Sequence, residues 1–97
     1  MESVGFLIKR DAQRAVDIAA RIAKAMEERG ITVLADEESA ASLPVATSVS
    51  LEKLGATSDA VIVVGGDGTF LAAGQALYGC ETPMIGVNLG HVGFLTE

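Results

Sequence analysis

The chain has 97 residues, a formal net charge of −6, 49% apolar residues and only 4% aromatic ones. A chain of that length makes one domain, burying roughly 60–70% of the surface exposed when unfolded, and its acidic balance argues against nucleic acid or an anionic membrane as partner. A lone Cys80 excludes an internal disulfide, no apolar run reaches the ~18 residues of a membrane span, and residues 1–10 are not laid out as a signal peptide, so a reducing, cytoplasmic setting is expected.

Val4 to Ile8 reads as a buried strand. Asp11 offers an N-cap, and from Ala12 to Arg29 the residues Ala12, Ala15, Val16, Ala19, Ile22, Ala23 and Met26 fall on one helical face, with Asp17, Arg21, Lys24 and Glu28 elsewhere. Gly30 stands where a C′ glycine closes a helix, and Ile31 to Ala35 makes a second strand. Asp36 to Ser50, rich in Ala, Ser and acid and broken by Pro44, is expected to be an exposed excursion, with Asp36, Glu37 and Glu38 a solvated stretch.

Leu51 to Leu54 suggests a short helix before Gly55. A strand from Ala60 to Val64, a glycine loop, a helix from Thr69 to Tyr78 and a strand from Met84 to Asn88 complete the alternation. Cys80, in the turn from Tyr78 to Pro83, has no neighbouring His and reads as a small semi-buried residue rather than a nucleophile. Four strands separated by helices imply an α/β fold with a parallel sheet, in which ligands gather where loops leave the C-terminal strand ends.

Two loops begin at such ends. Gly65-Gly66-Asp67-Gly68-Thr69 follows the run Ala60 to Val64, and Asn88-Leu89-Gly90-His91-Val92-Gly93-Phe94-Leu95 follows Met84 to Val87. Glycines after a strand permit positive φ and let a ligand reach backbone N–H groups, while the following helix presents the positive end of its dipole, so phosphate is the natural guest. A carboxylate repels phosphate, so Asp67 must serve some other purpose, either accepting a proton from a substrate hydroxyl or holding a divalent cation that bridges to phosphate. The plain alternative is that Asp67 caps the helix; Thr69 divides likewise between cap and ligand. Two familiar cradles are excluded. Leu71 stands where the dinucleotide fingerprint needs its third Gly, and no Lys follows Lys53 to complete a Walker A loop.

Gly65 to Thr69 resembles the signature of NAD kinases, diacylglycerol and sphingosine kinases and, more distantly, 6-phosphofructokinases. Asn88-x-Gly90-x-x-Gly93-Phe94-Leu95-Thr96 is similar to the NAD kinase pattern in particular, and the likeness to the N-terminal domain of that family spans nearly the whole chain. It implies a Rossmann-like parallel sheet of about four strands, the first half of a two-domain kinase whose second, largely β domain supplies an Asn-Glu or Asn-Asp pair; catalysis then belongs to the longer parent. By the resemblance, Asp67 removes the proton from the adenosine ribose 2′-hydroxyl of NAD as a phosphoryl group arrives from ATP or polyphosphate, with a divalent ion, Mg²⁺, giving NADP. Gly68 lies against the nucleotide, Leu71 lines its pocket, and His91 and Phe94 border the dinucleotide. Gly65, Gly66, Thr69, Asn88, Gly90 and Gly93 shape the two loops. The full-length protein is expected to be a homo-oligomer.

The family's pattern is broken at Ala72 and Ala73, a stretch where many members carry an Arg. From the residues alone, His91 reads as an exposed loop histidine, the ordinary near-neutral pKa of the residue type being the one intrinsic argument for a ligand or proton role, and Phe94 is as readily a core plug as a pocket wall. Two other readings stand beside an NAD kinase: a lipid or sugar kinase with the same first loop, and a non-catalytic nucleotide-binding module.

Overall fold

A computed structural model describes residues 1–89 of the chain. The elements, in order, are β1 (Ser3–Ile8), α1 (Gln13–Glu28), β2 (Thr32–Asp36), α2 (Glu37–Ala40), β3 (Thr47–Val49), α3 (Leu51–Thr57), β4 (Ala60–Gly65), α4 (Asp67–Ala76) and β5 (Met84–Asn88). The strands form one parallel sheet in the order β3-β2-β1-β4-β5. The fold is α/β as expected, but with five strands rather than four. The added strand, β3, and the single turn of α2 lie inside the stretch expected to be an excursion.

β4 is buried along its whole length between β1 and β5, which is why it reads as an unbroken apolar run: a strand covered on both faces has no polar alternation. Side chains alternate across the sheet. On one face Val4, Phe6, Val33, Ala35, Ile62 and Val64 pack against Ala15, Ala19 and Ala23 of α1, with Leu43 closing the edge. On the other, Leu7, Leu34, Val61 and Val63 meet Leu54 of α3, Ala73 of α4 and Leu77, the residue that caps the end of α4. The alanine stripe of α1 brings that helix close to the sheet, leaving Asp17, Arg21, Lys24 and Glu28 exposed as the spacing predicts.

Several local expectations are corrected. Asp11 is not the cap of α1: it takes a positive φ of 53°, and the cap position falls to Ala12, which makes no side-chain bond. Gly30, at φ 79°, does close the helix end. α3 runs through Gly55 to Thr57 instead of stopping at Leu54, and α4 begins at Asp67, two residues before Thr69, and ends at Ala76. Cys80 is exposed, not semi-buried.

Candidate active site

The strand order reverses between β1 and β4. From β1 the chain leads to β2 on one side, from β4 to β5 on the other, so the loops leaving these two strands diverge and open a crevice at their carboxyl ends. The Lys9 N–H still pairs with the Val64 carbonyl at 2.9 Å, which carries the ladder one residue beyond β1 and sets Lys9 and Arg10 opposite the glycine loop. The resulting cleft, about 470 Å³, is lined by Ile8, Lys9, Arg10, Gly66, Asp67, Gly68, Thr69 and Ala72.

Asp67 is the first residue of α4. The cap position belongs to Gly66, at φ −113° and ψ −165°, so Asp67 and Thr69 both stand inside the first turn rather than at the cap. The helical ladder begins with Phe70 N–H to the Gly66 carbonyl at 3.0 Å. N–H groups before that point have no partner within an α-helix, and with the dipole they make the floor of the cleft attractive to anions.

The loop glycines act differently from the expectation. None of Gly65, Gly66 and Gly68 has positive φ. A Cβ at Gly66 or Gly68 would meet nothing within 4 Å, so these two keep the approach to the backbone open, whereas a Cβ at Gly65 would stand 2.5 Å from Thr69 Oγ1 and 2.7 Å from its Cβ. Gly65 is thus the seat of the Thr69 side chain.

The second loop starts on the neighbouring strand, in register: Gly65 is opposite Asn88, and Leu89 N–H donates to the Gly65 carbonyl at 2.9 Å. Asn88 Nδ2 reaches Asp67 Oδ1 at 3.4 Å, so the two motifs meet through their polar residues. Leu71 is 67% exposed on α4 and is not among the cleft-lining residues; Ala72 lines it instead. Gly90, His91, Gly93 and Phe94 lie outside the described residues.

Lys9 and Arg10 are the part of the cleft that motif reading missed. Their only signal in the sequence is position, as cations directly after a buried parallel strand. Arg10 pairs with Glu38, from α2, through both its Nε and its terminal nitrogen. With Arg10 held by Glu38, Lys9 is the cation that the cleft offers to an anion, beside the first turn of α4. Among the described residues no group of three or more His, Cys, Asp or Glu is placed to hold a metal, and no helix is long and apolar enough to cross a membrane.

The family model of the ATP-NAD kinase N-terminal domain matches residues 4–97. The chain belongs to this family. Its relatives include the NAD kinase of Hahella chejuensis, 41% identical over 97 residues that cover 98% of this chain and 33% of that protein. The NAD kinases of Methanothermobacter thermautotrophicus, 33% identical, and Methanopyrus kandleri, 38% identical, align with 100% and 97% of this chain and with 34% and 33% of their own lengths. The chain therefore spans about a third of the curated relatives it matches. In this NAD kinase domain the reversal of strand order, the glycine loop and the Asp67–Asn88 contact coincide at one place.

Proposed function

We propose that the protein of which this domain forms part transfers a phosphoryl group to the 2′-hydroxyl of the adenosine ribose of NAD, giving NADP, with Asp67 as general base. The observation that carries the reading is the placement of one carboxylate on the first turn of a helix, at the mouth of an open cleft, beside Lys9, a cation that suits a phosphate donor. Asp67 takes the hydroxyl proton; the ribose oxygen bonds to the terminal phosphorus of ATP; the bond from that phosphorus to its bridging oxygen breaks, and the electron pair leaves with ADP. First-turn N–H groups and Lys9 offset charge on the phosphoryl oxygens as this happens.

Mg²⁺ is ordinarily held by one or two carboxylates together with substrate phosphates and water. Asp67 is the one carboxylate among the described residues that line the cleft and is assigned to the proton, so the ion arrives with the donor as MgATP. The NAD kinase names of the relatives favour this acceptor over a lipid or sugar. The test is to supply the full-length parent with NAD, diacylglycerol or fructose 6-phosphate, each with ATP and Mg²⁺. Phosphorylation of NAD alone supports the reading; phosphorylation of either other acceptor in its place rejects it.

A further inference from the structure

Beyond the main cleft lies a second hollow of about 180 Å³. It is lined in part by Arg10, Asp36, Glu38, Ser39, Leu51 and Thr69, and it shares Ile8, Arg10, Thr69 and Ala72 with the first. The two are one continuous groove running from the end of β4 across β1 to the end of β2. Its chemistry changes along the way. At the β4 end it offers Lys9 and the first turn of α4. At the β2 end it offers hydrogen-bond acceptors on an apolar wall.

Asp36 is the informative residue there. It occupies the cap position of α2 yet makes no cap bond, and its Oδ1 has no hydrogen-bond partner among the described residues. The neighbouring Ser39 accepts from the Ile8 N–H at 3.0 Å, which fixes the wall of the hollow to the end of β1. A carboxylate oxygen withdrawn from water with no donor is a cost that a hydroxyl or amino group on a ligand removes. Lys9 makes no ion pair among the described residues, whereas Arg10 is engaged by Glu38 across the junction of the two hollows.

We propose that this groove is the phosphoryl-donor half-site, with Lys9 holding the phosphates of a nucleoside triphosphate and the Asp36 hollow receiving its sugar and base. The inference rests on the phosphoryl-transfer reading above. In-line displacement needs donor and acceptor on opposite sides of the transferred phosphorus. A donor lying toward β1 and β2 leaves the β5 side of Asp67, where Asn88 stands, for the ribose hydroxyl. The triphosphate, more highly charged than a dinucleotide, gains more from the cationic side. Asp36 then makes the site selective for a nucleotide donor, because an inorganic polyphosphate has no hydroxyl-bearing sugar to satisfy it.

The experiment compares Lys9→Met, Lys9→Arg and Asp36→Ala with wild type in the full-length parent, measuring KM for MgATP, KM for NAD and the inhibition constant of inorganic tripolyphosphate. Lys9→Met is expected to weaken both MgATP and tripolyphosphate by about tenfold, as loss of a charge-assisted contact does, with KM for NAD within about twofold and Lys9→Arg close to wild type. Asp36→Ala is expected to weaken MgATP by about fivefold, the size of one hydrogen bond, while tripolyphosphate inhibits as before. A rise in KM for NAD with MgATP unaltered, no change in either donor-side constant, or equal weakening of MgATP and tripolyphosphate by Asp36→Ala overturns the assignment. Should the wild-type parent form no NADP, the proposed function fails. Calorimetric titration of MgATP into wild-type and Lys9→Met parent then still decides the half-site, and equal affinities overturn it.

Discussion

Asn88 Nδ2 donates to Asp67 Oδ1 at 3.4 Å, across two paired strands in which Gly65 and Asn88 stand in register. The contact joins the end of β5 to the start of α4 and gives the carboxylate a fixed neighbour on the side away from Lys9. A side chain whose χ angles are held by such a neighbour keeps its oxygen where the substrate hydroxyl arrives.

Replacing Asn88 tests that positioning role. Asn88→Ala in the full-length parent is expected to lower kcat for NADP formation about fivefold, the size of one modest hydrogen bond, with little change in KM for MgATP. Asn88→Asp keeps the shape but sets a second carboxylate beside Asp67, and is expected to be the more damaging. A purely packing role predicts the reverse order, since Asp is the closer isostere.

Gly65 is expected to be intolerant for a reason specific to Thr69. Gly65→Ala brings a methyl group to 2.5 Å from Thr69 Oγ1, and overpacking of this kind costs about 1–3 kcal/mol. Chemical denaturation of the 97-residue chain measures it. Because the clash is with one side chain, Gly65→Ala and Thr69→Gly should be non-additive, the second change recovering part of the loss caused by the first; strict additivity would place the strain elsewhere.

Much of this architecture can be read from the residues, and the exceptions have physical causes. β1, β2 and β4 are legible because buried parallel strands are continuous apolar runs, β5 because Met84, Ile85 and Val87 form a short apolar run although it is a partly exposed edge strand, and α1 because its alanines recur at helical spacing. β3 escapes because it is three residues long, Thr47–Val49, at the sheet edge and largely exposed; nothing in its composition separates it from a loop. Asp11 looks like a cap but adopts a left-handed conformation, which Asp tolerates for the same reason it favours caps, a short side chain that bonds locally. In the site, Asp67 and Asn88 are marked by their glycine surroundings. Lys9, Arg10 and Asp36 are not, because a charge after a strand looks the same whether it faces water or a cleft, and only the order β2-β1-β4 brings their loops together.

Asp59 supplies the pH dependence. Its Oδ2 accepts from the Glu2 and Ser3 N–H groups at 2.6 and 3.0 Å, and these two bonds, helped by the nearby N-terminal ammonium, hold its carboxyl below the usual range against a small opposing effect of burial. The folded state thus favours the ionised form. The stabilisation is fully present above the unfolded value of about 3.9 and is lost as pH falls through the lower folded value. Thermal unfolding of wild type and Asp59→Ala from about pH 7 to about pH 2.5 should show a gap that is constant down to about pH 5 and closes in the acid range. A gap that does not change with pH would assign the effect to packing.

The central claim is that Asp67 removes the proton from the attacking hydroxyl. The most direct measurement is single-turnover NADP formation by the full-length parent carrying Asp67→Asn, an isostere that cannot act as a base. A rate about 10²–10⁴-fold below wild type, the usual contribution of a positioned general base, with KM for NAD and MgATP little altered, is the predicted result. NADP formed at a rate near that of wild type would contradict it.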